Sequence, residues 1–164
     1  MKNIILIGMP GVGKSTVGVL LAKTLGYEFI DTDLLIQKEK KTTLQKIINK
    51  EGIEGFLKTE NEVVSQLKCH QAVIATGGSV VYGQEAMENM KALGTVVFLE
   101  LPLKSLQKRL KNIKTRGVAM KEGQTLKSLF EERVPLYETY CDIKISAKNK
   151  GVEKVIEEIV KACL

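Results

Sequence analysis

A glycine-bounded turn near the start of the chain holds the residue types that phosphate chemistry needs. Gly8-Met9-Pro10-Gly11-Val12-Gly13-Lys14-Ser15 satisfies the pattern G-x-x-x-x-G-K-[ST]. It falls between an apolar run and a helical one, the context that gives the pattern its meaning. Glycines let the backbone curl around phosphate oxygens with its N–H groups turned inward. The helix start that follows adds unpaired donors and partial positive charge. Lys14 can reach between the outer phosphates and Ser15 can ligate magnesium through its hydroxyl, while Gly8, Gly11, Val12, Gly13 and Thr16 complete a nucleotide-binding set. Such groups neutralise the charge that develops during phosphoryl transfer.

Acceptor chemistry has its own candidates. Asp31-Thr32-Asp33 ends a second short apolar run. If strand geometry persists through the triplet, the two carboxylates point to one side, about 6–7 Å apart. One can then hold magnesium through water while the other orients an acceptor hydroxyl and takes its proton. The alternative is a turn in which Thr32 or Asp33 caps a helix. Thr76-Gly77-Gly78-Ser79 follows a third run. Its adjacent glycines permit close approach of a polar ligand and Ser79 can bond to it, with plain turn geometry as the alternative. Residues 104–121 contain seven basic side chains and no acidic one. A cationic cover there, over about 112–124, would attract a triphosphate and exclude water on closing. Arg116, beside Gly117, is its functional candidate. Arg133 has a planar fork that can clamp a carboxylate bidentately.

The elements that must position these residues are legible from periodicity. NIILI at 3–7 reads as a buried parallel strand, and EFID at 28–31, AVIA at 72–75, TVVFLE at 95–100 and DIKIS at 142–146 read as four more. Helical spacing runs from Ser15 to Leu25, from Thr43 to Leu67 with a division near Gly52 and Gly55, over 84–92, after Pro102, from Leu126 to Tyr140, and over 151–162. Pro135 is expected to bend or break the fifth of these. Strands alternating with helices predict a three-layer α/β domain with a mainly parallel sheet. Ligands bind such sheets beyond the carboxyl ends of the strands, where the three motifs fall.

Composition narrows the class. The chain has 164 residues, 44% hydrophobic and 27% charged, with a formal charge of +6. This fits one globular domain over 1–164 and argues against disorder, collagen and coiled coil. Cys69, Cys141 and Cys163 are widely spaced and His70 is the only histidine, so neither a zinc site nor a disulfide scaffold is expected. No stretch approaches the apolar length of a membrane span. Aromatic residues make up 5% of the chain and are not interleaved with basic ones, so the stacking platform of a nucleic-acid binder is lacking. A cytoplasmic monomer is expected, with neither nucleic acid nor membrane as partner. The length leaves little room for a large motor, and no N-K-x-D motif appears. A small kinase is the economical reading.

With these residues in view, the chain resembles the shikimate kinase family over nearly its whole length. The resemblance rests on the phosphate turn at 8–15, DTD at 31–33, the Phe56 to Glu60 helix, GG at 77–78, Arg109-Leu110, and R-x-x-L-Y at 133–137. It implies a parallel sheet in the order 2-3-1-4-5, a nucleotide lid, and transfer from MgATP to the 3-hydroxyl of shikimate. By matching position, Asp31 would serve magnesium through water and Asp33 would contact the acceptor hydroxyl, with acceptor-binding helices over about 32–68. Gly77 and Gly78 would line the acceptor pocket, Arg133 would grip the carboxylate, Arg109 would pack near adenine and Arg116 would reach the phosphates. Lys14, Asp33 and Arg116 are the expected catalytic residues.

The chain departs from that family at three places. Leu57 stands where an arginine usually follows the phenylalanine, GGS ending in Ser79 replaces GGG, and Gly117-Val118-Ala119-Met120 replaces proline and leucines after the lid arginine. Loss of the arginine removes a charge-assisted contact commonly worth about 1.5–3 kcal/mol, or roughly 10- to 150-fold in binding. Lys58 leaves the helix about 100° away. Alternatives are therefore a related kinase acting on another polyol, or a nucleotide-binding regulatory protein with weak catalysis.

Overall fold

The computed structural model describes residues 2–110 and 119–164. Among them the elements run β1 (Asn3–Ile7), α1 (Lys14–Leu25), β2 (Glu28–Asp31), α2 (Thr32–Lys40), α3 (Leu44–Ser65), β3 (Ala72–Ala75), α4 (Gln84–Leu93), β4 (Gly94–Glu100), α5 (Leu103–Arg109), α6 (Leu126–Tyr140), β5 (Ile143–Ser146) and α7 (Val152–Cys163). A short 3-10 turn, Val80–Tyr82, precedes α4.

The strands form one parallel sheet in the order β2-β3-β1-β4-β5, the order that the resemblance implies. β1 lies at its centre with all five residues buried, as an apolar strand covered on both faces must be. The edges are more polar. β2 opens on exposed Glu28. On β5, exposed Lys144 reaches Glu100 and Glu138 at 3.6 and 3.5 Å, which makes that edge a poor template for further pairing.

Register decides where the chemistry falls. Asp31 pairs with Ala75, and Ala75 with Leu6. The loops after β2, β3 and β1 therefore leave the sheet side by side. At the opposite end, buried Asn3 donates from Nδ2 to the carbonyls of Cys69 and Leu93 and accepts from the N–H of Ala72. One side chain thus ties β1 to the approach to β3 and to the end of α4.

Two apolar clusters result. The larger surrounds the sheet. The smaller comprises Ile36, Leu44, Ile47, Phe56, Val63 and Ala119, and fastens α2 to α3 away from the sheet. Within α3, Gly52 takes φ 75° and ψ 176°, a left-handed break that suits glycine alone and matches the expected division.

Two local expectations need correction. The second strand does not continue through the DTD triplet; it stops at Asp31, and α2 begins at Thr32. The helix cap is Asp31, rather than Thr32 or Asp33, and its carboxylate accepts from the N–H groups of Asp33 and Leu34. Capping satisfies donors that the first turn leaves orphaned. Pro135 also does not break α6, which spans Leu126–Tyr140 as one helix. Both Pro135 and Glu131, whose carbonyl loses its helical donor, are exposed, so water can take up the lost bond. Buried Arg133 and Tyr137 hold the other face.

Candidate active site

A cavity of about 540 Å³ opens at the shared edge of β1, β2 and β3. Its donor side is the glycine turn. Gly8 has φ +149° and a Cβ there would lie 2.6 Å from the backbone oxygen of Leu99, so the turn packs against β4 too closely for a side chain. Gly13, at φ 104°, leads directly into α1. Lys14 is buried and folds back over the turn, donating to the carbonyls of Gly8 at 2.6 Å and Met9 at 2.9 Å. Burial lowers its pKa to about 8, against the opposing pull of Asp33. Ser15 and Thr16 are exposed at the start of α1 and line the cavity with Gly11 and Gly13. Val12 is buried beneath. Arg109, on α5, donates to the carbonyls of Gly11 and Val12 at 3.2 Å. It thus clasps the turn from outside while its side chain borders the cavity.

The acids stand opposite. Ser15 donates to Asp31 at 3.1 Å, so two hard oxygen donors converge beside the turn. They suit magnesium, which takes one or two protein oxygens and keeps the rest of its shell as phosphate and water. Among the described residues no group of three or more His, Cys, Asp or Glu converges, as an all-protein metal cage would need. Asp33 points into the cavity from the first turn of α2. Its partial burial, then the neighbouring Asp31 charge, raise its pKa to about 6, with Lys14 opposing.

The far wall joins β3 to α6. The N–H of Gly77 donates to buried Thr32 at 3.2 Å. A Cβ on Gly77 would lie 2.5 Å from Asp33 Oδ1 and 3.0 Å from Glu60 Oε2. A Cβ on Gly78 would lie 2.9 Å from both Arg133 Nη1 and Pro10 Cδ. Neither glycine has room for a side chain, and the backbone forms the pocket floor. Tyr137 donates its hydroxyl to the Gly78 carbonyl at 2.5 Å and stacks near Phe98, with centroids 5.2 Å apart. Arg133 is 1% exposed. Its guanidinium donates to the Ala119 carbonyl at 2.8 Å and lies 5.3 Å from the Tyr82 ring. Among the described residues no carboxylate lies within ion-pair distance of it.

Expected residues thus meet around one cavity from elements far apart in sequence: Lys14, Ser15, Asp33, Gly77, Gly78, Ser79, Arg109 and Arg133. Ser79 lines it, but its hydroxyl is committed to Glu60 at 2.6 Å rather than held free for a ligand. Arg116 and most of the expected lid, 112–118, lie outside the described residues; Ala119, at its margin, borders the cavity. Leu57 is half-buried against the smaller cluster and Lys58 is exposed, so neither brings a cation to Glu60. The sequence pointed to no site role for Glu60 or Tyr137, and to Thr32 only as a candidate helix cap. For Glu60 a signal existed: it shares helical spacing with buried Phe56, Val63 and Val64, and an acid on an apolar face needs a reason.

The comparisons with known proteins cover this arrangement from end to end. The family model described as shikimate kinase matches residues 10–164. A shikimate kinase of Persephonella marina is 37% identical over 161 residues, spanning 98% of each chain. The solved shikimate kinase of Acinetobacter baumannii, in complex with shikimate, superposes with a TM-score of 0.90 at 33% identity, covering 99% of this chain and 92% of that one. The Aquifex aeolicus enzyme superposes at 0.81 with 35% identity, covering 98% and 95%. With the phosphate turn from Pro10 onward, the DTD triplet and the Arg133 helix inside the matched span, the chain belongs to the shikimate kinase family and is an ATP-dependent kinase.

Proposed function

We propose that the protein transfers the γ-phosphoryl group of ATP, with magnesium, to the 3-hydroxyl of shikimate, giving shikimate 3-phosphate and ADP. One observation carries the choice of an acidic acceptor. A guanidinium that is 1% exposed and has no carboxylate within ion-pair distance among the described residues faces the cavity across Gly78. A buried cation is costly without a counter-charge, and an acceptor carboxylate would supply one. The complex of the Acinetobacter baumannii relative with shikimate supports the same acceptor class.

In this reading the turn's N–H groups receive the phosphates. Lys14 exchanges the Gly8 and Met9 carbonyls for phosphate oxygens and offsets the charge of the transferring group. Magnesium, held by Ser15 and through water by Asp31, would neutralise phosphate charge when bound. Asp33 orients the acceptor hydroxyl and accepts its proton; with a pKa near 6 it is ionised at neutral pH and basic enough to do so. Arg109 lies by the donor, and Arg116 would close over the phosphates.

The test is coupled ADP production with shikimate, quinate, gluconate and nucleoside monophosphates as acceptors, with and without a magnesium chelator. Shikimate-dependent, chelator-sensitive turnover is expected, and NMR of the product should place the phosphate at position 3. Robust turnover of another acceptor and none of shikimate would reject the assignment. Leu57 favours a second reading, another polyol without a carboxylate, because it leaves position 57 with no charge to offer.

A further inference from the structure

The acceptor pocket contains one group that these roles do not use. Glu60 is 2% exposed, projects from α3 behind the pocket floor, and is absent from the cavity surface itself. Ser79 donates to its Oε1 at 2.6 Å, and its Oε2 has no hydrogen-bond partner among the described residues. Among the described residues no cation lies within ion-pair distance of it. The position one helical turn earlier, where i and i+3 side chains meet, is Leu57. Meanwhile Asp33 Oδ1 and Glu60 Oε2 both approach the same side of Gly77. Two carboxylates so placed do not readily ionise together.

We infer that Glu60 is a positioning residue that stores a proton behind the acceptor pocket and draws a further share of it when an anionic acceptor docks on Arg133. This rests on the acceptor reading above. The proton sits on Oε2, where no donor among the described residues competes for it. The groups facing Glu60 are Asp33 from α2, Lys14 from α1, Arg133 from α6 and Ser79 after β3; on α4, Glu85 is engaged by Asn61 at the surface. Burial and Asp33 favour the neutral acid, whereas the Ser79 hydroxyl, Arg133 and Lys14 oppose it, and the balance brings its pKa up to about 7. An acceptor carboxylate on Arg133 cancels one of the opposing charges. Docking therefore takes up a proton from solvent, and acceptor affinity falls as pH rises above neutrality, by at most tenfold per pH unit. A neutral Glu60 also spares the incoming anion a second buried negative charge beside the Arg133 guanidinium.

The experiment is an NMR pH titration of the full chain, 13C-labelled at glutamate side-chain carboxyls, first alone and then with saturating shikimate. The resonance lost in Glu60→Gln identifies the residue. Without acceptor, a midpoint near neutrality is expected, moving higher in Ser79→Ala because a donor to the ionised form is gone. A midpoint in the ordinary carboxylate range would overturn the stored proton whatever the acceptor proves to be. With shikimate, the midpoint should rise. The shikimate KM of wild type should climb with pH above 7 while that of Glu60→Gln stays flat, a difference that loss of a merely structural contact would not produce. Shikimate binding that leaves the midpoint unmoved would overturn the coupling. Failure of shikimate to perturb any resonance would instead reject the acceptor reading, with the unliganded midpoint still deciding the stored proton.

Discussion

In the proposed reading Arg133 and Asp33 would divide the acceptor between them; one faces Gly78 and the other Gly77. Arg133→Lys keeps the charge and loses the planar fork. It should raise the shikimate KM about 10- to 100-fold while leaving the ATP KM within about twofold, as steady-state kinetics with each substrate varied will test. Asp33→Asn keeps the shape and removes the proposed base. Turnover should fall by about 10²- to 10⁴-fold with ADP affinity by calorimetry preserved; near-native kcat would dismiss Asp33 as the proton acceptor. Leu57→Arg returns a guanidinium to the α3 face that carries Glu60, and should lower the shikimate KM by roughly tenfold. No change would mean that position 57 does not reach the acceptor. Most of these residues were legible because their chemistry is local: a phosphate turn announces itself in eight consecutive residues. Glu60 showed only as an acid on an apolar helix face; its significance depends on Ser79 and Gly77, which are close only after folding.

Element identity followed from the same contrast between local and distant causes. Strands such as NIILI and AVIA are short apolar runs containing β-branched residues and bounded by polar residues or glycine, and helices show their apolar stripe. What periodicity could not resolve was Asp31-Thr32-Asp33, where an acid can end a strand or cap a helix. The deciding contacts are the orphaned N–H groups of the following turn. Pro135 misled for a related reason, since its cost depends on which side of α6 it occupies. Asn3 shows how a polar residue in a buried strand can serve assembly. In Asn3→Leu the N–H of Ala72 and the carbonyls of Cys69 and Leu93 lose their partner. A destabilisation of about 2–3 kcal/mol is expected, readable as a lower urea midpoint with an unchanged slope.

At the scale of the molecule, the cavity joins parts that rest on apolar clusters of different size. The phosphate turn springs from the centre of the sheet, whereas the wall formed by α2 and α3 rests on a cluster of six buried residues. Regions with fewer buried contacts open at lower cost. Amides of α2 and of α3 before Gly52 should therefore exchange with deuterium faster than those of β1 and β3, and should gain protection when shikimate is added. Equal protection throughout would show the wall to be as rigid as the sheet. The pairing of Asp31 with Ala75 and of Ala75 with Leu6 has a metrical consequence. Adjacent strands sit about 4.8 Å apart, so the hydrogen-bond ladder acts as a ruler whose rungs space Asp31 from the root of the phosphate turn. Deleting one residue from β3 would slip that ruler by a notch, and donor and acceptor would lose alignment even with every reacting side chain intact.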